Sequence, residues 1–115
     1  MGRRHRQRER LAAPESEYRD AEGNVLVLRG ALTPATRGEY ERLRTGGLHQ
    51  EDAWQRAVEF LYERLAISWT IAGVQTSRQA ELLARLRMAS AAERQFVRMS
   101  LRSHLIEHFP ELEAP

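Results

Sequence analysis

The sequence predicts a small, mainly helical domain of about four helices behind an N-terminal β-hairpin. Three observations lead there. First, Trp54, Val58, Leu61, Leu65, Trp69 and Ala72 recur at steps of four, three, four, four and three, the spacing of one face of an α-helix. Second, Ser90 and Glu93 make a capping box ahead of the stripe Val97, Leu101 and Leu105. Third, Glu22-Gly23-Asn24 offers turn chemistry just before the β-rich run Val25-Leu26-Val27-Leu28.

Length and composition set the bounds. A chain of 115 residues has room for one domain and one modest core. Apolar content of 42% with 30% charged residues suits a globular protein and argues against wholesale disorder. No apolar run reaches the roughly 20 residues a bilayer span needs. The basic start leads into Arg8-Glu9-Arg10-Leu11 rather than an apolar signal segment. With no cysteine there is neither a disulfide framework nor a thiolate metal site. The expected compartment is the cytoplasm. All 18 cationic side chains apart from histidine are arginine, so Schiff-base and P-loop lysine chemistry are excluded.

Taken in order, residues 1–16 form a basic arm in which Arg3, Arg4, Arg6, Arg8 and Arg10 outnumber the single Glu9. A short helix over Gln7–Ala13 would form there on a partner's surface. The arginines suit phosphates, through counterion release, or an acidic protein partner, and the arm equally reads as a solvated terminus. No aromatic is interleaved among them to stack on bases. Residues 17–30 are the hairpin, expected to cover the core, with an exposed edge as the place where a partner could add a strand. A first helix spans about 34–44, with Thr33 as cap and Pro34 in the first turn. Gly46-Gly47 stops it.

The central helix, expected over 50–72, starts amphipathic and becomes apolar on every side from Leu65 to Ala72. Gly73 is its expected left-handed C-terminal residue. This helix should be the centre of the core. Its acidic start leaves Trp54 and Tyr62, with Leu48 nearby, as the expected protein-docking patch. A third helix is expected over 77–88 from Thr76-x-x-Gln79, and a fourth over 91–108 that ends at Pro110. Residues 111–115 make a short acidic tail.

Chemistry is scarce. His104-Leu-Ile-Glu107-His108 has the inverted zinc-protease spacing, with both imidazoles on one helical face. Only Glu111 and Glu113 follow as candidates for the third ligand, too near in sequence, and Leu105 and Ile106 belong to an apolar stripe. The pattern is therefore expected to be structural, with no metal and no cofactor. No nucleophile elbow, phosphate-cradling glycine loop or cysteine nucleophile occurs, and a non-enzymatic protein is expected. Residues 11–75 carry seven arginines against ten acids, whereas residues 76–108 carry six against three. That polarity suits head-to-tail self-association. The last two helices also allow a helix-turn-helix reading, against which stand a glycine-free joint, a core-facing last helix and few base-reading side chains.

Tyr18–Arg29, Leu32-Thr33-Pro34, Phe60–Val74 and Arg78–Met88 together give a layout that resembles tail assembly chaperones of actinobacterial phages and prophages. These are small cytoplasmic proteins with a β-hairpin followed by helices. The resemblance runs from Glu17 to Phe109. It implies binding to an extended tape-measure protein or tail subunit in the host cytoplasm, without catalysis. The five-arginine arm departs from that pattern and keeps nucleic-acid association or a structural virion role open.

Overall fold

Helix and sheet share this molecule. The computed structural model describes residues 14–45 and 50–115. In chain order it places β1 (Glu15–Arg19), β2 (Val25–Arg29), α1 (Pro34–Arg44), α2 (Gln50–Leu65), β3 (Ala66–Ile71), β4 (Val74–Thr76), α3 (Gln79–Arg87) and α4 (Ala91–His108). The four strands form one antiparallel sheet in the order β1-β2-β3-β4. The mainly helical class read from the sequence is thereby corrected to mixed α/β. No helix among the described residues is long and apolar enough to cross a membrane.

The correction falls on the second half of the expected central helix. The chain leaves the helix at Leu65 and continues directly as β3. Ile67, Thr70 and Ile71 are β-branched and Trp69 is aromatic, all residues that fit a pleated, packed surface. β3 lies between β2 and β4, in the interior of the sheet. A short apolar run inside a sheet carries no period that separates it from buried helix. Ala72 and Gly73 then make a two-residue turn with φ of 51° and 79°, the left-handed pair that joins tight hairpins. Gly73 is thus the second turn residue of the β3–β4 hairpin, not a helix C-terminus.

The first hairpin is held by its own side chains. Asp20 Oδ1 accepts from the amides of Glu22 and Asn24, both at 2.9 Å, and Oδ2 accepts from the Asn24 side chain at 2.8 Å. Asn24 Oδ1 in turn accepts from the Ala72 amide at 2.9 Å. One buried asparagine therefore ties the two hairpin turns together.

Helices pack on the face of β2 that carries Leu26 and Leu28, both fully buried. α2 contacts α1, α3 and α4, and contributes Ala57, Leu61, Tyr62 and Leu65 to the core. Val97, Leu101 and Leu105 of α4 and Leu82 and Leu86 of α3 complete it. Trp69, 1% exposed, meets the Tyr62 ring edge-on at 6.1 Å, with the Arg85 guanidinium 5.3 Å from its indole centroid. Helix starts follow local chemistry: Thr33 accepts from the Thr36 amide at 3.1 Å, and Ser90 and Glu93 exchange both capping-box bonds. α3 begins at Gln79 without a side-chain cap, because Thr76 belongs to β4.

Residues 109–115 fold back on the helices rather than trail as a tail. Phe109 and Leu112 join the core. Glu111 pairs with Arg37, and Glu113 with Arg44 at 2.7 Å. The Tyr40 hydroxyl donates to the Glu113 carbonyl. Alternate residues thus carry carboxylates to α1 while the leucine between them turns inward.

Candidate protein-docking face around Trp54

α2 buries Ala53, Ala57, Leu61 and Leu65 on its inner side, and this leaves Trp54 and Val58 at the edge of the stripe. Trp54 is half-buried there and borders two adjoining concavities. One, of about 580 Å³, has Val58, Leu86 and Ala91 in its lining, with Glu51, Glu59, Arg87, Arg94 and Arg98 around them. The other, of about 450 Å³, lies between Trp54, Arg98, Arg102, Ile106 and the returning segment Leu112–Pro115. Trp54 and Arg98 are common to both.

Arg94, Arg98 and Arg102 recur every fourth residue of α4, one helical row that runs from the first concavity into the second. All three are exposed. Among the described residues, no aspartate or glutamate side chain lies within ion-pair distance of any of the three, whereas Arg85 is paired with Glu93 at 2.6 Å and Arg87 with Glu59 at 3.1 Å. Arg94 donates to the Arg87 carbonyl at 2.7 Å and Arg102 to the Pro115 carbonyl at 3.5 Å. Each guanidinium keeps donors for a further acceptor. Ile106, 64% exposed, extends this row as an apolar residue, although its position beside Leu105 suggests a core residue in the sequence.

Tyr62, expected beside Trp54 in a docking patch, is completely buried. It lies one position past Leu61 on the inner face of α2, and burial pushes its hydroxyl pKa up. Its ring belongs to the core and presents no surface. Leu48 lies outside the described residues, as do Arg3, Arg4, Arg6, Arg8 and Arg10 and the helix expected over Gln7–Ala13. The arginine row was countable in the sequence, but its alignment along Trp54 depends on how α4 crosses α2.

The His104 and His108 pair is bound up in the fold. His104 is completely buried, and its Nε2–H donates to the Arg29 carbonyl at 2.7 Å. Nδ1 is left to accept from the Tyr18 hydroxyl at 2.8 Å. These two bonds fix one neutral tautomer and tie α4 to β1 and β2. Burial first, and the neighbouring His108 as well, lower the His104 pKa, outweighing the Arg29 carbonyl and Glu107, which act to raise it. His108 Nε2 bonds Ser16 Oγ at 3.1 Å. With both His104 nitrogens engaged, the pair acts as a clasp between helix and sheet, and Glu107 faces solvent.

A scan against protein-family models, a search of curated proteins and a search of solved structures each returned no match.

Proposed function

We propose that this chain is a non-enzymatic protein-interaction or assembly factor that docks an acidic segment of a partner protein on the Trp54 face. One observation carries the reading. A half-buried tryptophan lies along a row of three arginines that have no aspartate or glutamate partner among the described residues. Tryptophan and arginine are the side chains on which binding energy concentrates when they are desolvated together. The apolar lining from Val58 and Leu86 supplies area, and the guanidinium row supplies charge complementarity.

The same face is a poor fit to a nucleic-acid strand. Glu51, Glu59 and Glu113 line it beside the arginines, and a continuous phosphate run would meet these carboxylates. A polypeptide alternates charged and apolar groups and can satisfy both. An assembly chaperone acting on an extended tail or tape-measure protein in a host cytoplasm, the role the resemblance implies, is one form of this reading. The basic arm supplies the other partner class, nucleic acid, through Arg3, Arg4, Arg6, Arg8 and Arg10.

The test uses the full chain labelled with 5-fluorotryptophan, whose two ¹⁹F resonances are assigned with Trp54→Phe. A synthetic peptide of glutamate and leucine is expected to shift the Trp54 resonance and leave that of Trp69 in place. The double variant Arg94→Glu/Arg98→Glu should lose the shift, because it replaces the attraction with repulsion. No shift with any acidic peptide, or a shift kept by the double variant, overturns the docking face. Salt-sensitive binding of an oligonucleotide that disappears when residues 1–10 are removed would instead assign the function to the arm.

A further inference from the structure

We infer that β1 is a self-complementary edge on which a second copy of this chain pairs about a two-fold axis, joining two sheets into one. β1 is one end of the sheet, and no strand pairs with its outer side among the described residues. Its ladder with β2 is regular, from Glu15 opposite Arg29 to Arg19 opposite Val25. The two ends of that ladder fix which backbone groups it uses. The Gly30 amide donates to the Pro14 carbonyl at 2.7 Å, and the Asp20 amide to the Asn24 carbonyl at 3.1 Å. Hydrogen-bonded pairs alternate along an antiparallel ladder, so the backbone of residues 14, 16, 18 and 20 faces β2. The N–H and C=O groups of Glu15, Glu17 and Arg19 therefore point outward and await partners.

Proteins blunt such edges with shortness, proline, bulges or charge. β4, at the other end of the sheet, has only three residues. β1 has five, with neither a proline nor a bulge, so its charges decide what can pair with it. Glu15, Glu17 and Arg19 are exposed and alternate along the strand, which puts them on one face. Antiparallel pairing centred on Glu17 sets residues 15, 17 and 19 against 19, 17 and 15 of the second copy. That register uses every outward backbone group. It places Glu15 across from Arg19 of the second copy at both ends, two cross-strand pairs of opposite sign. The two Glu17 side chains meet at the centre, but each already has Arg19 of its own strand at 3.4 Å. On the other face Tyr18, half-buried in the single chain, gains Ser16 of the second copy as its cover. The contact is isologous, the kind that closes on a dimer.

Sedimentation equilibrium of the full chain is expected to show monomer and dimer in exchange. Glu15→Arg and Arg19→Glu each set like charges across both end pairs, and each should weaken the dimer by about tenfold. The double variant Glu15→Arg/Arg19→Glu restores opposite signs with the senses exchanged and should recover the affinity. Glu17→Pro removes an outward amide and no bond to β2, so it should abolish the dimer while circular dichroism stays unchanged. The chain has no cysteine, so a single introduced thiol reports the register. Paired Glu17→Cys residues would have Cα atoms about 5.5 Å apart, within disulfide range, and should cross-link on oxidation, whereas Val74→Cys on β4 should not. A chain that stays monomeric at millimolar concentration overturns the inference, as does a dimer that the single reversals leave intact or the double variant fails to restore. A dimer lost in Arg94→Glu/Arg98→Glu but kept in the β1 variants also overturns it, and places self-association on the arginine row.

Discussion

Two tyrosines with opposite hydrogen-bonding circumstances make the residue scale informative. Half-buried Tyr18 donates to buried His104, whereas the fully enclosed Tyr62 hydroxyl has no partner among the described residues. Removing the Tyr18 hydroxyl leaves His104 Nδ1 buried and unsatisfied, which costs about 1–3 kcal/mol. Removing the Tyr62 hydroxyl relieves a desolvated group, so Tyr62→Phe should be neutral or stabilising. Urea unfolding of Tyr18→Phe and Tyr62→Phe checks the contrast, and equal losses in the two variants would refute it. His104 adds a pH dependence of definite sign. Its pKa is lowered in the folded protein from the ordinary value of 6.5, so below that value the unfolded chain binds the extra proton. The clasp's contribution is full above about pH 6.5 and is lost as pH falls through the lowered folded value. A melting temperature that falls between pH 7 and 5, with a smaller fall in His104→Gln, is the expected result. The histidine pair was visible in the sequence as metal spacing. Its actual role depends on β1 and β2 lying against α4, which no local pattern encodes.

Elements were legible where their signals are local. Thr33 with Pro34 and Ser90 with Glu93 mark the starts of α1 and α4 because a cap needs only neighbouring backbone amides. The join between α2 and β3 was not legible. Leu65, Trp69 and Ala72 continue the helical spacing, so periodicity gave no boundary at a point where both structures would be buried. The signal that could have placed it is the turn: Ala72-Gly73 between two runs of β-prone residues, Ile67 to Ile71 and Val74 to Thr76. An alanine at φ 51° is unusual, and it is held by the bond from its amide to Asn24. Left-handed backbone costs a non-glycine residue roughly 1–2 kcal/mol, partly offset in any glycine variant by greater unfolded-state entropy. Ala72→Gly should therefore stabilise the protein by about 0.5–1 kcal/mol, read as a melting temperature a few degrees higher. Asn24→Ala should lower it, since the two hairpin turns lose their common tie.

At the scale of the whole molecule, the charge polarity of the sequence is resolved only in part. Arg87 with Glu59 joins the basic later helices to acidic α2, and the segment after α4 returns its acids to Arg37 and Arg44. Arg78, Arg94, Arg98 and Arg102 are left without an aspartate or glutamate partner among the described residues, and the last three lie alongside Trp54. The sequence identified Trp54 as the aromatic with reason to be exposed, and counted the arginines, but these residues lie 40 to 48 positions apart in the chain. Only packing brings them together. The returning segment matters because it walls that face, so its anchoring decides the state of Trp54. Leu112 is in the core, and Leu112→Ala should cost about 2–3 kcal/mol, the lower part of the range for buried leucines. The glutamates of the Arg37 and Arg44 pairs are roughly half exposed, and water screens such pairs to about 0–1 kcal/mol each. Glu111→Gln/Glu113→Gln should therefore be milder than Leu112→Ala and lose its effect in high salt, while Leu112→Ala should not. Both variants should move the Trp54 ¹⁹F resonance toward its solvent-exposed position, because either loosens the wall of the smaller concavity. If Leu112→Ala destabilises the fold as expected yet leaves Trp54 unmoved below the melting transition, the segment and the face are independent. The acidic segment would then be a core element alone, and the row of arginines would end at Arg102 for reasons of helix packing only.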